Sequence, residues 1–355
     1  MVPTSESPVS AATSRADSPS QSGQPREHFS TEELVVVLSH YDVGTIESIM
    51  EFPRGSRKAP KLLVTSSQGR FLLKRRSPGR DDPFKVAFCH MIQLQLALRQ
   101  FPLPAIIGTR AENNSMLQSR GHVYELFEYV VGGPFAQTAD ATQDSGRVLA
   151  LFHEELDGFH SEFQPSTGSY HRMDYIEQSL QSISSTAGLA ELATELLELY
   201  RLAGNRAEEA GLAHWPGQVV HADWHPGNML FRDSQIVAVI DYDSARILSR
   251  AIDVANGALQ FSVIGGEEDV TRWPDFLDEN RYRAFLKGYD GVMLLSKAEM
   301  RCLPWLMIEA LIAEAAIPIA ATGSFGRTEG RSFLQMVLRK ANWIETHAGE
   351  LGVSA

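Results

Sequence analysis

From Gly217 to Asp243 a largely helical stretch of chain gives way to strand, polar loop and strand: GQVV, HADWHPGN, MLF, with QIVAVIDYD just beyond. The loop places His221, Asp223, His225 and Asn228 close together. Such a set fits either of two chemistries. Histidine and carboxylate at short spacing can hold zinc in a hydrolase, and carboxylate and amide at the right spacing can run phosphoryl transfer. The two make different demands on the rest of the chain.

Ahead of the loop, STEELVVVLSHY starts at Ser30 with Glu33 three positions on, the signature of a capping box and a helix. TIESIMEF, KLLVTSS and RFLLKRR follow as β-type segments divided by PRGSRKAP and SSQG, and they read as an antiparallel meander. DDPFKVAFCHMIQLQLALRQF has helical spacing and ends at Pro102 and Pro104; VYELFEYV is another strand. Gly132-Gly133-Pro134 reads as a hinge, and beyond it the chain is mostly helical. The pattern is α+β: an N-lobe over residues 29–131, β-rich and small, then a helical C-lobe over 132–355. At 355 residues the chain is too long for one ordinary core. Residues 1–28, rich in Ser, Pro, Thr and Gln, read as a disordered tail.

Composition removes several classes. Cys89 and Cys302 form no CxxC pair, which speaks against a disulfide scaffold and for a reducing cytoplasm. No secretory signal opens the chain, and ALIAEAAIPIAATG carries Glu314 and Pro318, so it reads as a buried helix and not a membrane span. Net charge is -12, yet ten basic residues between Arg54 and Lys85 face only Asp81 and Asp82. A basic island in an acidic protein faces a local anion. Phe71 and Phe84 are the only aromatics within it, so nucleic acid is not the expected partner. The sequence is silent on oligomeric state.

Spacing separates the two chemistries. Asp223 and Asn228 stand five apart, as in a catalytic loop of the form H-x-D-x-x-x-x-N. One carboxylate receives the acceptor's hydroxyl proton, and an amide further round the loop holds a metal. A second carboxylate must bridge that metal from the end of a short apolar strand, and IVAVIDYD offers Asp241 thirteen positions after Asn228. A zinc site needs three or more ligands. None of His153, His160, His171 and His214 has a spacing that completes one around His221 and His225.

HADWHPGNMLF followed by VIDYDSAR resembles the aminoglycoside phosphotransferase-like kinases, a family that includes homoserine, choline and methylthioribose kinases. GRVLALFH and RAIDVA are similar to the helix after its hinge and to the stretch after its metal-binding strand. The resemblance implies a two-lobed protein-kinase-like fold, and ATP and magnesium (Mg2+) as cofactors. It implies Asp223 as catalytic carboxylate, Asn228 and Asp241 as metal ligands, and His221 bracing the loop through backbone hydrogen bonds. Asp243 would assist the metal or loop, and Asp253 would pin the loop from below. Lys74 would meet the α- and β-phosphates, the turn Gly55, Ser56, Arg57, Lys58 would lie over them, and adenine would meet the backbone near Glu128 and Val130. The family's helix glutamate that pairs with the lysine is absent; His90 or Gln93 stands in its place and would hydrogen-bond Lys74. Ala222 replaces the usual loop glycine, and no A-P-E segment follows. The expected activity is transfer of the γ-phosphoryl group of ATP to a small-molecule hydroxyl. A kinase-fold binding module and a protein Ser/Thr kinase of the stress-response type are the alternatives.

Overall fold

The computed structural model describes residues 26–53, 55–266 and 269–353. Of the expected tail, residues 1–25 lie outside the described residues, as does Arg54 of the basic island. Arg26 to His28, read as part of that tail, instead lie against the sheet: Glu27 pairs with Arg75 at 2.7 Å and donates its N–H to the Arg57 carbonyl at 2.9 Å.

Helix α1 (Thr31–Leu38) starts at the capping box, with Ser30 Oγ accepting from the Glu33 N–H at 3.1 Å and the Glu33 carboxylate accepting from the Ser30 N–H at 3.3 Å. Strands β1 (Ile46–Glu51), β2 (Lys61–Ser66) and β3 (Gly69–Arg75) form the meander. Helix α2 (Pro83–Leu98) follows, capped by Asp82 with Pro83 in its first turn. Strands β4 (Leu117–Ser119) and β5 (His122–Glu128) complete an antiparallel sheet in the order β1-β2-β3-β5-β4.

Side-chain alternation gives this sheet two unlike faces. Leu62, Val64, Phe71, Leu73, Tyr124 and Leu126 pack with Val37 and Leu38 of α1 into an apolar core. Arg75 shares that face, where its guanidinium meets the Glu33 carboxylate at 2.8 and 3.0 Å. The other face carries Lys61, Lys74 and Glu125, which are direct register partners across β2, β3 and β5.

The C-lobe begins with α3 (Ala139–Glu155), α4 (Asp174–Ser184) and α5 (Ala190–Glu209). The β insert follows: β6 (Gln218–Val220), β7 (Met229–Arg232), β8 (Gln235–Val239) and β9 (Arg246–Leu248), paired as β6 with β9 and β7 with β8. Helices α6 (Arg250–Ser262), α7 (Glu279–Asp290) and α8 (Lys297–Thr322) come next. A short hairpin, β10 (Ser324–Phe325) and β11 (Thr328–Glu329), leads to α9 (Gly330–Thr346) and α10 (Ala348–Leu351). Helix α8 is long and apolar enough to cross a membrane, but most of its apolar window is buried among other helices of this chain.

Helix α3 carries residues that reach the polar loop, so its seat matters. It lies against α7 with almost no gap. A Cβ on Gly146 would fall 1.9 Å from the Phe285 carbonyl oxygen, and one on Gly288 would fall 1.9 Å from that of Gln143. These are backbone atoms that cannot rotate away. We therefore expect Gly146→Ala and Gly288→Ala each to cost about 3 kcal/mol or more in urea unfolding, whereas Gly349→Ala, whose Cβ would meet open space, stays within about 0.5 kcal/mol. A neutral Gly146→Ala would contradict the packing described.

Candidate active site

Strand β6 brings two buried valines, Val219 and Val220, to the mouth of the polar loop, where the backbone turns sharply. Ala222 has φ 58, in the left-handed region that disfavours a residue with a Cβ. Asp253, fully buried in the first turn of α6, holds this strained turn in place. Its carboxylate accepts the N–H groups of His221 at 2.8 Å and Ala222 at 2.9 Å, and it lies 3.1 Å from His153 Nε2 on α3. Burial alone would raise its pKa; the hydrogen bonds from His153 and the backbone hold it below the usual carboxylate range.

His221 itself departs from expectation. Its backbone donates to Asp253, but its imidazole braces nothing. The ring is fully buried among Phe152, Trp224 and Tyr242, with centroids 5.2–5.9 Å away. Neither ring nitrogen has a hydrogen-bond partner among the described residues. Burial drives its pKa down despite the neighbouring Asp253 charge. A ring so enclosed is not offered to zinc, and among the described residues no group of three or more His, Cys, Asp or Glu is arranged to hold a metal ion. Trp224, three residues on, is fully buried and donates its indole N–H to Ser145 Oγ at 3.0 Å.

Past the turn, Asp223 is 7% exposed. The Asn228 side chain donates to the Asp223 carbonyl at 3.0 Å. The Asn228 carbonyl in turn accepts the Ile240 N–H at 2.9 Å, and so brings the end of β8 beside the loop. Asp241 is the next residue, exposed and left-handed at φ 64 and ψ 72. His225 Nδ1 accepts the Gly227 N–H at 3.0 Å. Its Nε2 is thereby left to carry the proton, 3.6 Å from the Asp223 carboxylate.

Above the loop the two lobes meet through charge. Lys74 Nζ lies 3.2 Å from Asp243 and 3.6 Å from Glu125. Arg76 lies 2.7 Å from Asp243 and 2.8 Å from Glu125. His90 Nε2 is 2.7 Å from Glu125, and its Nδ1 is 2.9 Å from Ser115 Oγ. The expected bond from His90 or Gln93 to Lys74 is not made. The carboxylate sought on the helix stands instead on β5, as Glu125, and His90 supports it; Gln93 donates to the Cys89 carbonyl. Burial would raise the pKa of Glu125 and Asp243, but Lys74 and Arg76 hold both below the usual range. Burial likewise works against Lys74, and Asp243 and Glu125 outweigh it. The carboxylates are therefore ionised and the ammonium charged.

Of the other expected nucleotide contacts, Gly55 to Lys58 form part of the turn between β1 and β2, and Glu128 and Val130 stand at and just beyond the end of β5. Gly55, at φ +83, sits over the ammonium of Lys61. Arg26 holds the carbonyls of Pro53, Gly55 and Ser56 at 3.1–3.4 Å, and the Lys58 N–H is tied to Ser56 Oγ at 3.3 Å. In the hinge, the Glu128 N–H is taken by the Ala105 carbonyl, so only the carbonyl side of that residue remains for a base. Val130 makes no hydrogen bond among the described residues and is the more open contact. The hinge is strapped to β7 by Gly133 and Phe231, which exchange bonds of 2.7 and 2.9 Å, and Gly132 allows the approach: a Cβ there would lie 2.7 Å from Leu230 Cβ.

Sequence reading missed Lys61, Arg76, Glu125 and His153. The signal for Glu125 was present, since VYELF places one charged residue on an otherwise apolar strand.

Comparison with known proteins now has a geometry to meet. A family model described as "Phosphotransferase enzyme family" matches residues 49–295. A homoserine kinase of Sinorhizobium medicae (strain WSM419) is 26% identical over 288 residues, covering 78% of this chain and 79% of the relative. Among solved structures, an aminoglycoside phosphotransferase from Alicyclobacillus acidocaldarius superposes with a TM-score of 0.68 at 18% identity, over 93% of this chain and 97% of that one. A microcompartment-associated aminopropanol kinase gives 0.65 at 18% identity, over 89% and 97%. Both share the two-lobed protein-kinase-like fold.

Two outcomes test the site's electrostatics. Glu125→Gln leaves Lys74 and Arg76 with one carboxylate between them, and should cost about 3 kcal/mol or more in urea unfolding; a loss under about 0.5 kcal/mol would contradict the cluster. His221 stays buried only while neutral. Its folded pKa is depressed, so the unfolded chain takes up the proton first, and stability falls as pH drops below the unfolded value of about 6.5. His221→Phe should lose less stability than wild type between about pH 6.5 and pH 5, and parallel losses would contradict this assignment.

Proposed function

The chain belongs to the phosphotransferase enzyme family, and on that premise we propose that it moves the γ-phosphoryl group of ATP to the hydroxyl of a small amino alcohol, with homoserine the first acceptor to test. One observation supports the reading: the Asn228 amide bonds the Asp223 carbonyl, the Asn228 carbonyl accepts the N–H of Ile240 beside Asp241, and Asp253 holds the turn beneath. A binding module that had abandoned catalysis would be free to lose any of the three.

In this reading Asp223 accepts a hydrogen bond from the acceptor hydroxyl, aims its oxygen at the γ-phosphorus and collects the proton late in the transfer. His225 keeps its N–H edge toward that carboxylate and limits its rotation. Asn228 and Asp241 would hold magnesium: both offer hard oxygen donors, and two protein ligands leave room for phosphate oxygens and water. Bound there, the ion would neutralise the negative charge of the phosphates. Lys74 and the turn from Gly55 to Lys58 face the phosphates, and the backbone of Val130 faces the adenine.

Charge supports an amine-bearing acceptor. Residues 132–355 hold 31 Asp and Glu against 17 Lys and Arg, a charge of -14, and an acidic lobe raises the local concentration of cationic amines. The homoserine kinase relatives point the same way.

The test is ADP release with ATP, magnesium and a panel of homoserine, aminopropanol, choline and an aminoglycoside. At least one amino alcohol should raise turnover well above the rate with water alone. Asp223→Asn should lower kcat with that acceptor about a hundredfold or more while the thermal midpoint holds. A wild-type rate in the variant, or no acceptor-dependent release across the panel, would overturn the proposal.

A further inference from the structure

Lys61 and Lys74 are direct partners in an antiparallel pair, on the same face of the sheet. Like charges placed so are destabilising, and a local rule broken without a protein partner to offset it marks a functional site. The two lysines differ in what surrounds them. Lys74 is matched: with Arg76 it faces Glu125 and Asp243, two cations against two carboxylates. That group is neutral as a whole. Lys61 has no such match. Its ammonium makes no hydrogen bond and no ion pair within 4 Å among the described residues, although the side chain is half-buried.

Its position narrows the ligand. Lys61 Nζ lies 3.0 Å from where a Cβ on Gly55 would stand, so the turn between β1 and β2 rests directly on the ammonium. Gly55 is left-handed at φ +83 and adds no side chain of its own above Lys61. Burial and the neighbouring Lys74 both push the Lys61 pKa down, and only the more distant carboxylates Asp241, Asp243 and Glu125 pull against them. A bound anion would relieve both effects.

We propose that Lys61 binds the polyphosphate of the nucleotide directly, beneath the Gly55 turn, as a second lysine beside Lys74. The inference rests on the ATP reading above and adds a second lysine to the phosphate contact within it.

The test is equilibrium titration of AMP, ADP and ATP, with magnesium, into wild type, Lys61→Met, Lys61→Gln and Lys61→Arg, with thermal unfolding of each unliganded protein. Wild type should bind more tightly as phosphates are added. Lys61→Met and Lys61→Gln should lose about tenfold to a hundredfold of that gain while AMP affinity stays within about twofold, and Lys61→Arg should recover most of it. Because removing Lys61 relieves the repulsion from Lys74, the unliganded Met and Gln variants should melt no lower than wild type; a lysine with only a structural role would lower the midpoint. If wild type gains affinity with added phosphates and both neutral variants keep the full gain, the Lys61 assignment is wrong and the ATP reading stands. If wild type itself gains nothing from AMP to ATP, both fail together.

Discussion

Four charged side chains meet where the lobes touch: Lys74 and Arg76 from β3 and its end, Glu125 from β5, and Asp243 from just beyond β8. Charges withdrawn from water at such a junction cost several kcal/mol each unless they are matched, so the folded chain has strong reason to keep all four together. Three consequences follow from that constraint. The register of β3 against β5 is fixed by Lys74 opposite Glu125. The N-lobe is tied to the C-lobe through Asp243. And because Asp243 is two residues from Asp241, the backbone that presents the proposed metal carboxylate is anchored from above.

A second anchor works from below. Asp253 satisfies two N–H groups of the strained turn and meets His153, which faces Tyr289 on α7. Ala222 and Asp241 both hold left-handed backbone that residues with a Cβ avoid at a cost of about 1 kcal/mol or more. Such strain persists only where the surroundings overdetermine it. Here the Asp253 carboxylate fixes one strained residue, and the Ile240–Asn228 bond with the Asp243 cluster fixes the other. The loop and the strand end are therefore rigid relative to each other, as in-line transfer to a positioned hydroxyl requires.

The sequence made legible what depends on local pattern. The capping box at Ser30, the meander, the hinge glycines and the spacing of Asp223 and Asn228 all follow from residues within a few positions of one another, and Asp241 from the end of an apolar strand thirteen positions on. What depends on long-range register stayed hidden. The carboxylate partner of Lys74 was sought on α2, where His90 and Gln93 stand, yet it arrives from a strand fifty-one residues on. The imidazole of His221 looked polar and active, but Phe152 and Tyr242, from distant stretches of chain, close over it together with Trp224 of its own loop. Lys61 was one of ten basic residues in a window, and only the pairing of β2 with β3 set it opposite Lys74.

The central claim is that Asn228 and Asp241 form one metal-dependent nucleotide site with Asp223. Calorimetric titration of ATP with and without magnesium, on wild type and Asp241→Asn, tests it most directly. The account predicts binding by wild type that strengthens with magnesium, and loss of that magnesium dependence in a variant that stays folded. Binding indifferent to magnesium in wild type, or an unchanged magnesium dependence in Asp241→Asn, would contradict it.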